Sequence, residues 1–221
     1  MKRILLVIFL TLVVLTTWAQ KADYSKNQII IIATTMGEIE IILYNDTPLH
    51  TNNMTKLIRE DFYKNQLFHR VINNFMIQGG DPHSTDAPKG QRLGTGGPGH
   101  NIPAEFHDHY IHKKGALAAA RKGDSVNPEK ESSGSQFYIV HGQIFSKEQL
   151  LLLQSSGKHA PFTPEQIEIY TTVGGAPHLD GAYTVFGEVI RGLDVIDSIA
   201  TVKTDNYDRP LEDIVYNIRL K

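Results

Sequence analysis

The chain contains no cysteine among its 221 residues. This absence excludes disulfide bonds, thiolate nucleophiles, thiolate metal sites and lipid attachment at a processed cysteine. Neither sign of charge is in clear excess, because 22 Lys and Arg residues face 24 Asp and Glu residues. A chain with this balance lacks the basic surface that nucleic acid or an anionic membrane requires, so neither partner is expected.

The chain has one long apolar run, Ile4 to Leu15, and it is shorter than the roughly 20 residues of a membrane span. Lys2 and Arg3 precede it, and Thr17 to Ala19 supplies the small residues that a signal peptidase site needs. Residues 1–19 are therefore predicted to be a secretory signal peptide, and the mature protein is expected in the periplasm or another extracytoplasmic compartment. Without Lys2 and Arg3 it has 20 basic and 24 acidic residues, a net charge of minus four.

The rest of the chain is long enough for one sizeable core. Residues 20–27 are predicted as a polar lead-in and residues 28–221 as a single domain. Alternating or continuous apolar segments between turn residues predict strands at 28–33, 38–44, 67–72, 75–79, 115–120, 136–140, 184–189 and 214–220. Many short strands with few helices point to a closed barrel.

Two helices are predicted among these strands and two more in an insertion. Asp46 or Thr47 can cap a helix with an apolar stripe at Met54, Leu57 and Ile58, and residues 193–199 form a second short helix. Between residues 146 and 177, capping boxes Ser146 to Gln149 and Thr163 to Gln166 open two further helices, with Gly157 and Gly174 as their ends. This helical insertion is either a surface decoration or a lid beside a cleft.

An arginine, Arg70, lies within apolar segments that otherwise indicate buried strands. A guanidinium has five donors and no acceptor, so burying it requires a specified partner or ligand, and a structural ion pair is the plain alternative. If the chain turns over residues 73–75, Arg70 lies directly opposite Gln78 in a hairpin. Phe75 and Met76 would then give an apolar floor beside a pair of polar groups, which suits an apolar ligand that carries an amide.

Five segments in order carry a family resemblance: FHRVINNFMIQGGD (68–81), GTGGPGHNIPAEF (94–106), GALAAAR (115–121), SSGSQFYIV (132–140) and LDGAYTVFGEV (179–189). They resemble the cyclophilin family of peptidyl-prolyl cis-trans isomerases. The resemblance covers residues 29–221 apart from the helical insertion. It implies an all-β dominated fold, an eight-stranded antiparallel closed β-barrel capped by two helices, here with a two-helix insertion.

The resemblance also implies an enzyme that accelerates Xaa-Pro bond rotation without a cofactor or metal. Arg70 matches the catalytic position. The positions that match substrate-binding residues of the family are His69, Phe75, Met76, Gln78, Ala120, Arg121, Gln136, Tyr138, Leu179 and Tyr183. From the sequence alone, His69 would be a structural histidine whose hydrogen bonds are made within the protein, and Phe75, Met76 and Tyr138 would be core residues. The expected partners are proline-containing segments of exported proteins, and a monomer is expected.

Three positions depart from the best-known members of the family. His178 stands where many members carry tryptophan, Tyr183 where many carry histidine, and Tyr138 where many carry phenylalanine. Because that tryptophan is a major contact for cyclosporin, weak binding of the drug is expected. The two added hydroxyl groups leave the substrate preference open.

Other functions fit the sequence less well. His107, His109 and His112 near Glu105 offer metal-binding side chains, but their spacing matches no common zinc signature. Residues 94–99 lack the Gly-Lys-Ser/Thr ending of a phosphate loop, and Ser135 does not lie in a Gly-x-Ser-x-Gly elbow. The open alternative is a binding module or chaperone that recognises proline segments in the same groove without turnover.

Overall fold

The computed structural model describes residues 27–157 and 159–221. The predicted signal peptide (1–19) and the lead-in (20–27), except Asn27, lie outside the described residues. The strands are β1 (Ile29–Thr34), β2 (Gly37–Leu43), β3 (Gln66–Leu67), β4 (Arg70–Ile72), β5 (Met76–Gly79), β6 (Asn101–Ile102), β7 (Ala116–Ala119), β8 (Ser132–Ser133), β9 (Phe137–Val140), β10 (Val185–Arg191) and β11 (Val215–Leu220).

The helices are α1 (Pro48–Arg59), α2 (Lys147–Ser155), α3 (Pro164–Thr172) and α4 (Leu193–Ala200), with single 3-10 turns at Pro82–Ser84 and Pro177–Leu179. In the described part of the chain, none of these helices has the length and apolar character of a membrane span. The predicted apolar stripe of α1 is confirmed, since Met54, Leu57 and Ile58 are buried.

The main sheet is antiparallel and curled, in the order β3-β11-β1-β2-β10-β7-β9-β5-β4, and β6 pairs with β8 separately. The predicted fold class is confirmed, but the sheet has nine strands and its ladder is open, whereas eight strands and a closed ladder were expected. The difference arises because the predicted strand 67–72 divides at Phe68 and His69 into β3 and β4. These two strands form the opposite edges of the sheet, so two residues of chain connect one edge to the other.

The two faces of the sheet carry separate apolar clusters, as period-two alternation requires. The inner cluster lies inside the curl, where α1 and α4 pack; from the strands beside Arg70 it takes Val71, Ile77, Leu117 and Ile139. The outer cluster lies on the opposite face. Its buried members are Ile42, Tyr44, Met76, Ala116, Ala118, Tyr138, Val140, Ala176 and Val185.

The N-terminus of α1 is capped in a way that the local sequence did not indicate. Thr47 is the N-cap residue, as predicted, but its hydroxyl donates to the carbonyl of Tyr44 and caps no helix amide. The amides of Leu49 and His50 instead donate to the Glu105 carboxylate, at 3.0 Å each. A carboxylate suits this position because the amides and the helix dipole favour negative charge there.

The helical insertion folds as its capping boxes predict. Ser146 with Gln149 and Thr163 with Gln166 both form complete capping boxes at the starts of α2 and α3. Gly157 and Gly174 follow the two helices with positive φ, which glycine adopts without steric cost. The insertion has a small core of its own with Ile111, made by Leu150, Phe162 and Tyr170.

Candidate active site

Arg70 and Gln78 face each other across the β4–β5 hairpin, which confirms the predicted register. The turn over residues 73–75 is possible because Asn74 adopts a φ of 59°, a conformation that asparagine tolerates better than most residues. The register continues across the sheet: Gln78 is opposite Tyr138, and Tyr138 is opposite Ala118. Four neighbouring strands therefore place Arg70, Gln78, Tyr138 and Ala118 in one line, which we call the outer row.

The Arg70 guanidinium makes an ion pair, but only one of its nitrogens takes part. Nε donates to Oδ2 of Asp208 at 3.3 Å, and both side chains are 42 % exposed. In the part of the chain that the structure describes, the two terminal nitrogens of Arg70 make no hydrogen bond. Exposed pairs of this kind contribute little to stability, roughly 0 to 1 kcal/mol. The pair orients the cation and leaves its outer donors accessible to a ligand.

Two glutamine amides lie beside this cation in a defined chain of hydrogen bonds. Nε2 of Gln78 donates to Oε1 of Gln136 at 3.0 Å, and Nε2 of Gln136 donates to the carbonyl of Gly96 at 2.8 Å. The side-chain oxygen of Gln78, Oε1, accepts no hydrogen bond from any described residue, whereas its main-chain carbonyl accepts one from the amide of His69 at 3.0 Å. Gln78 is therefore oriented by Gln136 and presents a free acceptor along the outer row.

The loop that receives Gln136 is held by a buried carboxylate. Asp81 is fully buried and accepts hydrogen bonds from the amides of His83, Gly94 and Thr95 at 2.8, 2.5 and 3.1 Å. A Cβ on Gly96 would come within 2.1 Å of Asp81 Oδ1, so only glycine fits there. The amides of Gly94 and Thr95 are thus bonded to Asp81 and do not face a ligand.

The residues expected to line a proline pocket lie in one patch of the outer cluster. Met76 and Tyr138 are 2 % and 5 % exposed and make its floor, while Ala120, Phe75, Leu179 and Tyr183 are half-buried at its edge. The sequence alone suggested that Met76 and Tyr138 are core residues, and both are indeed buried. They belong to the outer cluster, however, and not to the inner one. The ring of His178 lies 5.5 Å from the ring of Phe75 at the same edge. The structure thus gathers an apolar patch next to the polar end of the outer row.

The side chain of Arg121 is bonded within the protein and does not extend outward to a ligand. Its side chain is 4 % exposed, and Nε donates to the carbonyl of Ala182 at 2.7 Å. Nη1 donates to Asp124 at 2.6 Å, and the guanidinium lies 4.5 Å from the centre of the Tyr183 ring. Arg121 therefore supports Tyr183 at the edge of the patch.

His69 is 4 % exposed, and within the described residues neither ring nitrogen has a hydrogen-bond partner. Burial is the main reason that its pKa falls from the ordinary 6.5 to about 4; Arg70 and Arg209 also lower it, while Asp81 opposes the change. The imidazole is therefore neutral at ordinary pH. His69 precedes Arg70 in the chain and adds no second positive charge beside that guanidinium.

This burial predicts a pH-dependent stability. An unfolded His69 takes up a proton as the pH falls through 6.5, whereas the folded imidazole stays neutral down to about pH 4. The stabilisation is thus complete above about pH 7 and is lost between pH 6.5 and pH 4, by about 3 kcal/mol in total. Urea unfolding at pH 7.5 and pH 5 should show a smaller pH effect for His69→Gln than for the unmodified protein. His83→Gln, at an exposed position, is the control, and equal pH effects in all three proteins would contradict the assignment.

Two of the three histidines considered as metal ligands form hydrogen bonds with other groups of the protein. His107 bonds the carbonyl of Asp46, and His112 bonds Asp180 and Tyr138. Glu105 caps α1 and contacts His50. Among the described residues, no three histidine, aspartate or glutamate side chains are grouped as a metal site requires.

The sequence contained no sign of the contacts made by Asp208, Arg209, His112 and Asp180, and it offered His112 only as a metal ligand. Each of the four contacts a predicted site residue or supports one that does. Arg209 is 5 % exposed, and its guanidinium donates to the carbonyls of Ala87, Pro88 and Gln91. It thereby fixes the loop that presents Asp208 to Arg70. In the sequence, Asp208 and Arg209 directly precede Pro210. This pair of opposite charges before a proline is the one local feature that could have drawn attention to the loop.

Comparisons with known proteins agree with the fold described above. The family model described as cyclophilin type peptidyl-prolyl cis-trans isomerase/CLD matches residues 29–219. A Staphylococcus saprophyticus protein named as a peptidyl-prolyl cis-trans isomerase is 34 % identical over 197 residues, which are 87 % of this chain and 91 % of that protein. A Streptococcus pyogenes protein named as a bifunctional phosphatase and peptidyl-prolyl cis-trans isomerase is 35 % identical over 192 residues; these are 83 % of this chain but only 36 % of that protein.

A solved structure gives the same picture. The crystal structure of a cyclophilin type peptidyl-prolyl cis-trans isomerase from Cryptosporidium parvum aligns with a TM-score of 0.62 at 25 % identity, covering 88 % of this chain and 98 % of that one.

Proposed function

This chain belongs to the cyclophilin family of peptidyl-prolyl cis-trans isomerases, and from that premise we propose that Arg70 drives Xaa-Pro bond rotation by donating to the prolyl nitrogen in the twisted transition state. The proposed substrates are proline-containing segments of exported proteins. The observation that carries the proposal is the position of Arg70: a half-exposed cation with free terminal donors, at the end of the outer row and beside the apolar patch.

The chemistry needs no bond to be broken. Rotation about an amide costs roughly 18 to 20 kcal/mol because the C–N bond has partial double-bond character. In the twisted state this conjugation is lost, and the prolyl nitrogen becomes pyramidal and exposes a lone pair. A donor placed at that lone pair binds the transition state more strongly than the planar ground state, which is the condition for acceleration.

Each part of the site has a role in this proposal. The apolar patch of Phe75, Met76, Tyr138 and Leu179 holds the proline ring, so that the acyl side of the bond rotates. Asp208 orients the Arg70 guanidinium through Nε, which aims the terminal donors outward. The side-chain oxygen Oε1 of Gln78 can accept an amide hydrogen from the peptide backbone.

The direct test is an exchange measurement. The purified protein is expected to accelerate cis-trans exchange of an Ala-Pro peptide, monitored by NMR exchange spectroscopy or by a protease-coupled assay. No acceleration above the uncatalysed rate, which corresponds to tens to hundreds of seconds, would refute the proposal.

The exported location rests on the N-terminal sequence. Lys2 and Arg3, the apolar run Ile4 to Leu15 and the small residues at Thr17 and Ala19 support cleavage before Gln20. Mass spectrometry of the protein from an extracytoplasmic fraction should show Gln20 as the first residue. A protein that keeps Met1 and stays with the cytoplasmic fraction would refute the proposed clients.

Cyclosporin is expected to bind weakly, because the smaller and more polar His178 stands at the edge of the patch next to Phe75. A tryptophan contact of this kind is often worth 2 kcal/mol or more, so His178→Trp should strengthen inhibition by about 30-fold. The cyclosporin concentration that halves the exchange rate measures this inhibition. As a control, the activity without the drug should be the same in both proteins. Nanomolar inhibition of the unmodified protein would contradict the expectation.

A further inference from the structure

The Asp180 carboxylate joins the helical insertion to the proline pocket. It is 9 % exposed and accepts hydrogen bonds from both the amide and Nδ1 of His112, at 2.8 Å each. From the insertion, the Tyr170 hydroxyl donates to its other oxygen at 2.6 Å, and His159 Nε2 lies 3.3 Å from the same oxygen. Burial alone would raise the pKa of Asp180, but the hydrogen bonds from His112, His159 and Tyr170 outweigh it and lower the pKa to about 2, so the carboxylate is ionised.

His112 passes this contact on to the pocket floor. The imidazole is fully buried, and its second nitrogen, Nε2, lies 3.0 Å from the hydroxyl of Tyr138. Because a carboxylate only accepts, Nδ1 carries the hydrogen that faces Asp180, and in the neutral ring Nε2 accepts from the Tyr138 hydroxyl. The two rings lie nearly parallel, at 15°. The hydroxyl of Tyr138 is thus directed into the protein, and its ring is the part left for the outer cluster.

The insertion is firmly attached around this contact. Tyr170 of α3 is fully buried and packs with Ile111, the residue before His112. The amide of Ala176, just after the insertion helices, donates to the carbonyl of His112 at 2.8 Å. A continuous path of buried contacts therefore runs from α3 through Asp180 and His112 to Tyr138.

We propose that Asp180 and His112 are positioning residues that hold Tyr138 in the floor of the proline pocket, and that the helical insertion tightens this floor through the Tyr170 hydroxyl. This inference rests on the proposed function, since it assigns Tyr138 to the pocket of that reaction. It gives the insertion a part in substrate affinity. It also explains how a tyrosine serves at a position that must present an apolar surface: its hydroxyl is already bonded inside the protein.

A double-mutant cycle tests the path. Asp180→Asn is expected to weaken binding of an Ala-Pro peptide and to raise its KM about fivefold with little change in kcat, and Tyr170→Phe should do the same about twofold. In the Tyr138→Phe background both effects should shrink to less than about 1.5-fold, because the hydroxyl that the path holds is gone. A general loss of stability would instead act equally in both backgrounds.

The controls separate the possible outcomes. Tyr63→Phe removes another buried tyrosine hydroxyl, bonded to the carbonyl of Ser135, and should leave the peptide KM unchanged. If Asp180→Asn does not fold, Tyr170→Phe carries the test. Equal losses with and without the Tyr138 hydroxyl, or no loss at all, would overturn the proposal.

Peptide affinity from NMR titration keeps the two proposals apart. It reports on the pocket even if the unmodified protein gave no acceleration, which would refute the proposed function alone. An unaltered affinity in Asp180→Asn and in Tyr170→Phe would refute the positioning role alone.

Discussion

Arg70→Ala is expected to lower kcat/KM for an Ala-Pro peptide by about 100-fold or more, while peptide affinity changes by less than about threefold. Removing one preorganised donor that acts on charge developing in a transition state typically costs 10²- to 10³-fold in rate, and the Arg70 terminal donors are the only cationic ones on the outer row. The pocket that holds the ring does not depend on this side chain. Exchange spectroscopy gives the rate, and titration gives the affinity.

Arg219→Ala is the matched control for this prediction. Arg219 lies on a strand of the same sheet and forms a comparably exposed ion pair, with Glu38 at 3.4 Å, but it belongs to β11 and not to the outer row. Its removal should leave kcat/KM unchanged. Arg70→Lys should fall between the two, because it keeps the charge and loses the planar donor geometry. An Arg70→Ala protein with full activity would show that rotation is accelerated by the pocket alone.

Arg70→Ala also distinguishes a catalytic role in the cell from the role of a binding module. Affinity for proline segments should survive in Arg70→Ala, so a cellular function that depends on binding would survive with it. Loss of the cellular function together with the rate would support catalysis as the biological role. Retention of that function without the rate would favour the chaperone.

Arg209→Ala is expected to destabilise the protein by about 3 kcal/mol or more, the largest stability effect that we expect from a single charged residue here. The side chain is 6 % exposed and donates to three backbone carbonyls and to Asp213 at 2.9 Å. Truncation leaves these acceptors without their donor, and breaking a buried pair from one side typically costs 3 to 5 kcal/mol. Urea unfolding measures the loss, and Arg219→Ala, an exposed arginine, should cost less than about 1 kcal/mol.

Activity should report on the Arg209 loop as well. The loop carries Asp208, so an Arg209→Ala protein that is still folded at low temperature should show a reduced kcat/KM. If Arg209→Ala unfolds like the unmodified protein, the three carbonyls must have found solvent, and the loop is not held as described.

The elements that depend on neighbouring residues were predictable from the sequence. The β4–β5 register follows from period-two alternation and a short turn with Asn74, and it placed Arg70 opposite Gln78. The capping boxes at Ser146 and Thr163 are equally local, because their hydrogen bonds close within three residues.

The contacts between distant segments were not predictable in this way. Glu105 caps α1 from 55 and 56 residues away, and Asp208 reaches Arg70 across 138 residues. No local pattern marks such partners, since nothing in the residues next to a carboxylate shows which distant segment it will contact. The division of strand 67–72 also depends on distant partners, because β3 pairs with β11 whereas β4 pairs with β5.

The place of β11 in the sheet bears on when the protein can fold. It is the last strand in chain order, yet it lies between β1 and β3 and pairs with both. While the ribosome has not yet released this strand, the nascent chain has a gap in its sheet, and Tyr216 is missing from its interior. The order of synthesis therefore postpones completion of the sheet until β11 has been made, and a shorter nascent chain leaves one edge of β1 and the whole of β3 without their strand partner.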